Sequence, residues 1–119
     1  MNINEMIATI KKHPDFSKAG MILCHNGVVR ESSRDGRAVT GLSVEVDKEK
    51  LEQIVARYKK TEGIVEILVE IAADRKLSIG DDVMALVVAG DIRETVIAVL
   101  TDTLNAVKST VTKKTEFFK

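Results

Sequence analysis

Arg30, Arg34 and Arg37 fall within one short stretch of the chain and offer the first recognisable chemistry. A guanidinium presents a rigid fork of N–H donors that matches phosphate or carboxylate, so three brought to one place make an anion site. Two β-favouring runs, Met21–Arg30 and Ala38–Val46, flank the Ser-, Asp- and Gly-rich segment Glu31–Arg37, which predicts a hairpin connection. Arg30 then stands at the exit of the first strand, with Arg34 and Arg37 in the turn. The same composition also fits a solvated hairpin tip charged for solubility. A second basic cluster, Lys108, Lys113, Lys114 and Lys119, reads on its own as a frayed tail after a helix.

The remaining reactive side chains exclude more chemistry than they add. Eighteen basic and eighteen acidic residues cancel, so nothing draws the whole chain to nucleic acid or to an anionic membrane, and any anion site is a local concentration of charge. One tyrosine, three phenylalanines and no tryptophan are too few for a base-stacking platform. His13, beside Pro14, reads as a solvated helix end, and His25 stands alone in its strand. With a single cysteine there is no zinc-type spacing, and neither a metal nor another cofactor is expected. Cys24, inside an apolar run, reads as a core residue and fits a reducing compartment. The N-terminus lacks the flank and apolar run of a secretory signal, and no apolar stretch reaches roughly eighteen residues, so a soluble cytoplasmic protein is expected.

These groups must be positioned by 119 residues, a length that predicts one domain small enough for a subunit interface to matter. Ile3, Met6, Ile7 and Ile10 fall at i, i+3, i+4 and i+7 and predict an amphipathic helix that ends before Pro14. Asp47 caps a second helix with the stripe Leu51, Ile54, Val55 and Tyr58, and Gly63 follows as its stop. Ile64–Ile71 and Val83–Ala89 predict two strands, with the turn residues Ser78, Gly80 and Asp81 in Leu77–Asp82 between them. Asp91 and Glu94 make a capping-box-like start for the longest and most deeply packed helix, with Ile92, Val96, Val99, Leu100, Leu104 and Val107 on one face. Helix, strand, strand, helix, strand, strand, helix is an α+β order. The apolar surface of the two later strands exceeds what three short helices cover, which predicts a homodimer.

Gly27-Val28-Val29-Arg30, the polar turn, Gly36-Arg37-Ala38-Val39 and then Gly41-Leu42-Ser43-Val44-Glu45 resemble the large, catalytic subunit of molybdopterin synthase. That family's pattern is Gly-x-Val-Arg, a turn with Gly-(Arg/Lys)-x-Val, and Leu-x-x-Glu. The similarity covers about residues 18–119 and closes on Phe117-Phe118-Lys119, where the family has Phe-Trp-Lys. It implies an α/β-hammerhead-like arrangement with a mixed or antiparallel sheet and three helices, shared in a homodimer. It also implies a step of molybdenum cofactor biosynthesis. A small ubiquitin-like sulfur-carrier subunit presents a C-terminal thiocarboxylate, and its sulfur passes to a cyclic pyranopterin phosphate to build the dithiolene of molybdopterin.

Residue by residue, the resemblance implies Lys119 as the catalytic lysine. Lys113 would stand in for a second lysine, whose own position holds Thr112. Arg30, Arg37, Arg93 and Lys114 would bind the substrate, Arg93 at a helix N-terminus that adds its own attraction for an anion. The sequence also departs from the family. Ile92 replaces the histidine of a His-Arg pair, Ala72 and Ala73 replace a second such pair, and Glu116 replaces a proline. The alternative is therefore a member with altered chemistry that binds a pterin phosphate or a protein partner without transferring sulfur.

Overall fold

The computed structural model describes residues 2–119. Helix α1 (Ile3–Lys11) begins where the Asn2 side chain accepts a hydrogen bond from the Glu5 amide, and it stops before Pro14 as the proline requires. A 3₁₀ turn, Phe16–Lys18, leads into β1 (Met21–Val28). Then come β2 (Val39–Val46), α2 (Lys48–Lys59), β3 (Ile64–Ile71), a two-residue β4 (Leu77–Ser78) and β5 (Asp82–Gly90). The chain finishes with α3 (Arg93–Ala106), a π turn (Val107–Val111) and β6 (Thr112–Phe118). Asp47 caps α2 as expected, accepting from the Lys50 amide at 3.1 Å.

Two three-stranded antiparallel sheets result, in the orders β1-β5-β3 and β4-β2-β6, and with three helices they make the expected α+β architecture. β5 organises the first sheet. Its residues Met84 to Gly90 are all buried, Ala85, Val87 and Ala89 facing Met6 and Ile10 of α1 while Leu86 and Val88 face Val96 and Val99 of α3. A strand covered on both faces needs a continuous apolar run rather than alternation, which is what its sequence shows. The molecule is elongated, with principal extents of 48 × 25 × 23 Å.

Several expectations are corrected here. Glu31–Arg37 is not a hairpin: β1 and β2 belong to different sheets, and one isolated bridge, Ser32 to Ala38, joins the flanks. The cause is Val29. It is 2% exposed, packs with Leu42, Val44, Ala72 and Leu77 under the second sheet, donates its amide to Asp81 and accepts from Gly80. The chain therefore changes sheets at Val29, and the polar segment becomes a loop over the crossing. Leu77–Asp82 contains β4 as well as a turn, and β4 closes on β2 because a Cβ on Gly41 would collide with the Leu77 carbonyl.

The segment expected to fray is β6, paired with β2 from Val39–Phe118 to Val46–Thr112 and anchored by buried Val107 and Val111 just before it. Asp91 does not cap α3. Its carboxylate accepts from the adjacent Ile92 amide at 2.7 Å, and Ile92 occupies the cap position with no side-chain bond to offer. Cys24 is exposed rather than core, because the α1 layer packs on Ile22 but leaves Cys24 uncovered at an edge strand. Partial desolvation still pushes its thiol above the ordinary range.

Candidate functional site

Where the two sheets meet, Met84, Val107 and Val111 form a small core with Val46, Ile71 and Leu104. Over it opens a cavity of about 270 Å³ with Val44, Ile71, Val83 and Met84 as its floor and Arg34, Lys108, Thr112 and Lys114 at its rim. A more polar hollow of about 410 Å³ adjoins it, lined by Val28, Arg30, Ser32, Leu42 and Glu116. Arg34, Lys108 and Lys114 line both. The result is a two-chambered site, apolar on one side and cationic on the other, with three positive side chains on the boundary.

Each cation is placed by a local device. Arg30 donates through Nε to the Ser32 carbonyl at 2.8 Å, which ties it back against its own loop. Arg34 rides on a turn built around buried Ser33, whose amide donates to the Arg37 carbonyl at 2.9 Å and whose Oγ accepts from the Arg37 amide at 3.1 Å. Gly36, at φ +87, takes the left-handed position that this turn needs. The Ser33 hydroxyl also donates to the Asp35 carboxylate; that bond, followed by the Arg37 backbone amide and charge, holds Asp35 below the usual carboxylate range.

Lys108 is set by the π turn, whose two buried valines fix the backbone on either side of it, a geometry that recurs at functional sites. Lys114 follows from strand alternation. Opposite Val44 in register, it shares its face of β6 with Thr112 and with Glu116, whose carboxylate is 3.9 Å away. His25, partly buried on β1, is held below its ordinary pKa first by that burial and then by the charge of Lys108.

Of the residues expected at a site, Arg30, Arg34 and Lys114 are brought together, and Lys108 joins them. The others lie elsewhere in the chain's own fold. Arg37 turns away and stacks 3.6 Å over the Phe118 ring. Lys119 lines a separate hollow with Glu31, Ala38 and Ile79, its amide donating to the Ala38 carbonyl. Lys113, in register with Glu45, points to the opposite face of β6 from Lys114. Arg93 starts α3 beside Glu94 at 3.6 Å, with Ile92 exposed next to it.

Ala72 is buried in the second sheet's core, and Ala73 is partly buried beside it. Lys108 is the residue that sequence reading missed. Its signal was present in Val107, the last apolar residue of the predicted helix, and Val111 four positions on, a pair that fixes the backbone around the lysine. Among the described residues, no three His, Cys, Asp or Glu side chains gather in a way that could hold a metal ion, and no helix is long and apolar enough to cross a membrane.

Comparison with known proteins agrees with this architecture. A family model described as "MoaE protein" matches residues 1–110. No curated protein matches the sequence. Among solved structures, molybdopterin synthase from Staphylococcus aureus superposes with a TM-score of 0.80 at 18% identity, over 100% of this chain and 86% of that one. Molybdopterin cofactor biosynthesis protein E from Burkholderia multivorans gives 0.78 at 22% identity, over 100% and 82%. A complex of subunits 1 and 2 of molybdopterin-converting factor from Helicobacter pylori gives 0.72 at 16% identity, over 99% and 84%. At these identities the superpositions describe a shared fold.

Proposed function

Since the chain belongs to the MoaE protein family, we propose that residues 1–119 form one large-subunit domain carrying out the sulfur-transfer step of molybdenum cofactor biosynthesis in the cytoplasm. Its partner in this reading is a small ubiquitin-like sulfur carrier; the Helicobacter pylori neighbour is itself a two-subunit complex of molybdopterin-converting factor. Its substrate is a cyclic pyranopterin phosphate. The observation that carries the reading is the convergence of Arg30, Arg34, Lys108 and Lys114 on one two-chambered site.

The chemistry asks for three things from such a site. A phosphate needs fixed cations, and Arg30 in the polar chamber, with the boundary lysines, supplies them. A flat ring system needs an apolar surface, which Val44, Ile71, Val83 and Met84 provide. Forming a carbon–sulfur bond while the partner's acyl–sulfur bond breaks needs a positioned amine to move protons. We assign that role to Lys114 and Lys108, ahead of Lys119 and Lys113, because their side chains line the cavity.

Incubation with a thiocarboxylated small partner and pyranopterin phosphate, followed by assay for dithiolene product, tests this directly. Lys114→Arg and Lys108→Arg keep the charge but remove a group able to give up its proton, so each is expected to lower the rate by about 10²- to 10⁴-fold. Full activity in both variants, with loss in Lys119→Arg or Lys113→Arg, would return the role to the tail lysines. Saturable pterin-phosphate binding without product would select the binding-protein alternative, which the uncharged Ala72, Ala73 and Ile92 favour.

A further inference from the structure

We propose that Arg34 is a substrate-binding residue of this site and selects a flat ligand whose anionic group sits at the edge of its ring system. This rests on the function proposed above and adds a residue and a selectivity that it leaves open.

Three independent features of Arg34 support the assignment. Among the described residues it is the one arginine bordering both chambers, so an anion at the boundary, with its ring over Met84 and Val83, meets a single bidentate fork there. It is also unengaged. Arg30 has its Nε occupied by a carbonyl and Lys114 is near Glu116, whereas among the described residues Arg34 makes neither an ion pair nor a side-chain hydrogen bond. Finally, its backbone is ordered in advance by Ser33 and Gly36, so little loop freedom is lost when a ligand arrives. A planar guanidinium can in addition lie against a ring face, which an ammonium cannot match.

The test is a fluorescence titration of wild type, Arg34→Gln, Arg34→Lys and Arg30→Gln with a pterin monophosphate and with the same pterin lacking phosphate. Wild type is expected to prefer the phosphate form. Arg34→Gln should bind it at least about tenfold more weakly and lose most of that preference, and Arg34→Lys should recover only part, since a point charge lacks the fork. Arg34 is exposed, so thermal melting of the variants should match wild type. Wild-type affinity in Arg34→Gln alongside weakened Arg30→Gln would overturn the Arg34 assignment and leave the proposed function standing. No phosphate preference in wild type would overturn both. Because the titration needs no turnover, an absence of sulfur transfer alone would not disturb a positive result for Arg34.

Discussion

Thr103 shows how little the chain wastes and where it does. Its hydroxyl is fully enclosed on the inner face of α3 and, among the described residues, has no hydrogen-bond partner. Thr103→Val keeps the shape and removes the unsatisfied oxygen, so unfolding in urea should show a gain of about 1 kcal/mol. His25 gives a second expectation. With its folded-state pKa below the ordinary 6.5, the unfolded chain binds the proton more readily, so stability is full above that value and falls as pH drops through the folded-state pKa. Denaturation midpoints measured from about pH 7 to pH 5 should decline, and the decline should be shallower in His25→Gln. Type and position alone pointed to Arg30, whereas Lys114 was named only through the family resemblance, its own cluster reading as a solvated tail. Lys108 was not legible as a site residue, because a helix reading continued through Val107 and hid the π turn that redirects it.

At the scale of elements, sequence patterns identified what each stretch would become more reliably than what it would lie beside. α1, α2, α3, β1, β2, β3 and β5 all occur where apolar spacing placed them. The error over Glu31–Arg37 came from treating good turn chemistry as proof of strand pairing. The deciding residue was Val29, whose burial under another sheet depends on groups far along the chain. β4 escaped notice because two residues carry no periodicity, and β6 because Lys113, Lys114 and Glu116 look like a solvated end. The β2–β4 contact makes a sharp test of the second sheet. Gly41→Ala places a methyl group against the Leu77 carbonyl and should cost about 2 kcal/mol or more, read as a lowered urea midpoint with an unchanged slope. An unaltered midpoint would mean that β4 can withdraw at no cost.

The whole molecule is longer than its size requires. A radius of gyration of 15.1 Å compares with about 13.5 Å for a compact chain of this length. The exposed surface of 7334 Å² likewise exceeds the roughly 6,400 Å² typical of a monomer of this mass. Surplus surface with exposed Val28, Ile79, Ile92, Ile97 and Phe118 leads us to expect a homodimer, and sedimentation at micromolar concentration should give twice the chain mass. A single-chain mass across the accessible range would remove that expectation. Elongation has a temporal side as well. β3 and β5 are near neighbours in sequence and can meet early, whereas Thr40 and Phe117, which bond across β2 and β6, are 77 positions apart. Closing so long a loop is entropically slow, so the β3–β5 pair can serve as a folding nucleus while the β1–β5 and β2–β6 pairings wait. Lys114 and the boundary between the chambers belong to that late pairing, so the cavity is expected to close over only in the last steps of folding.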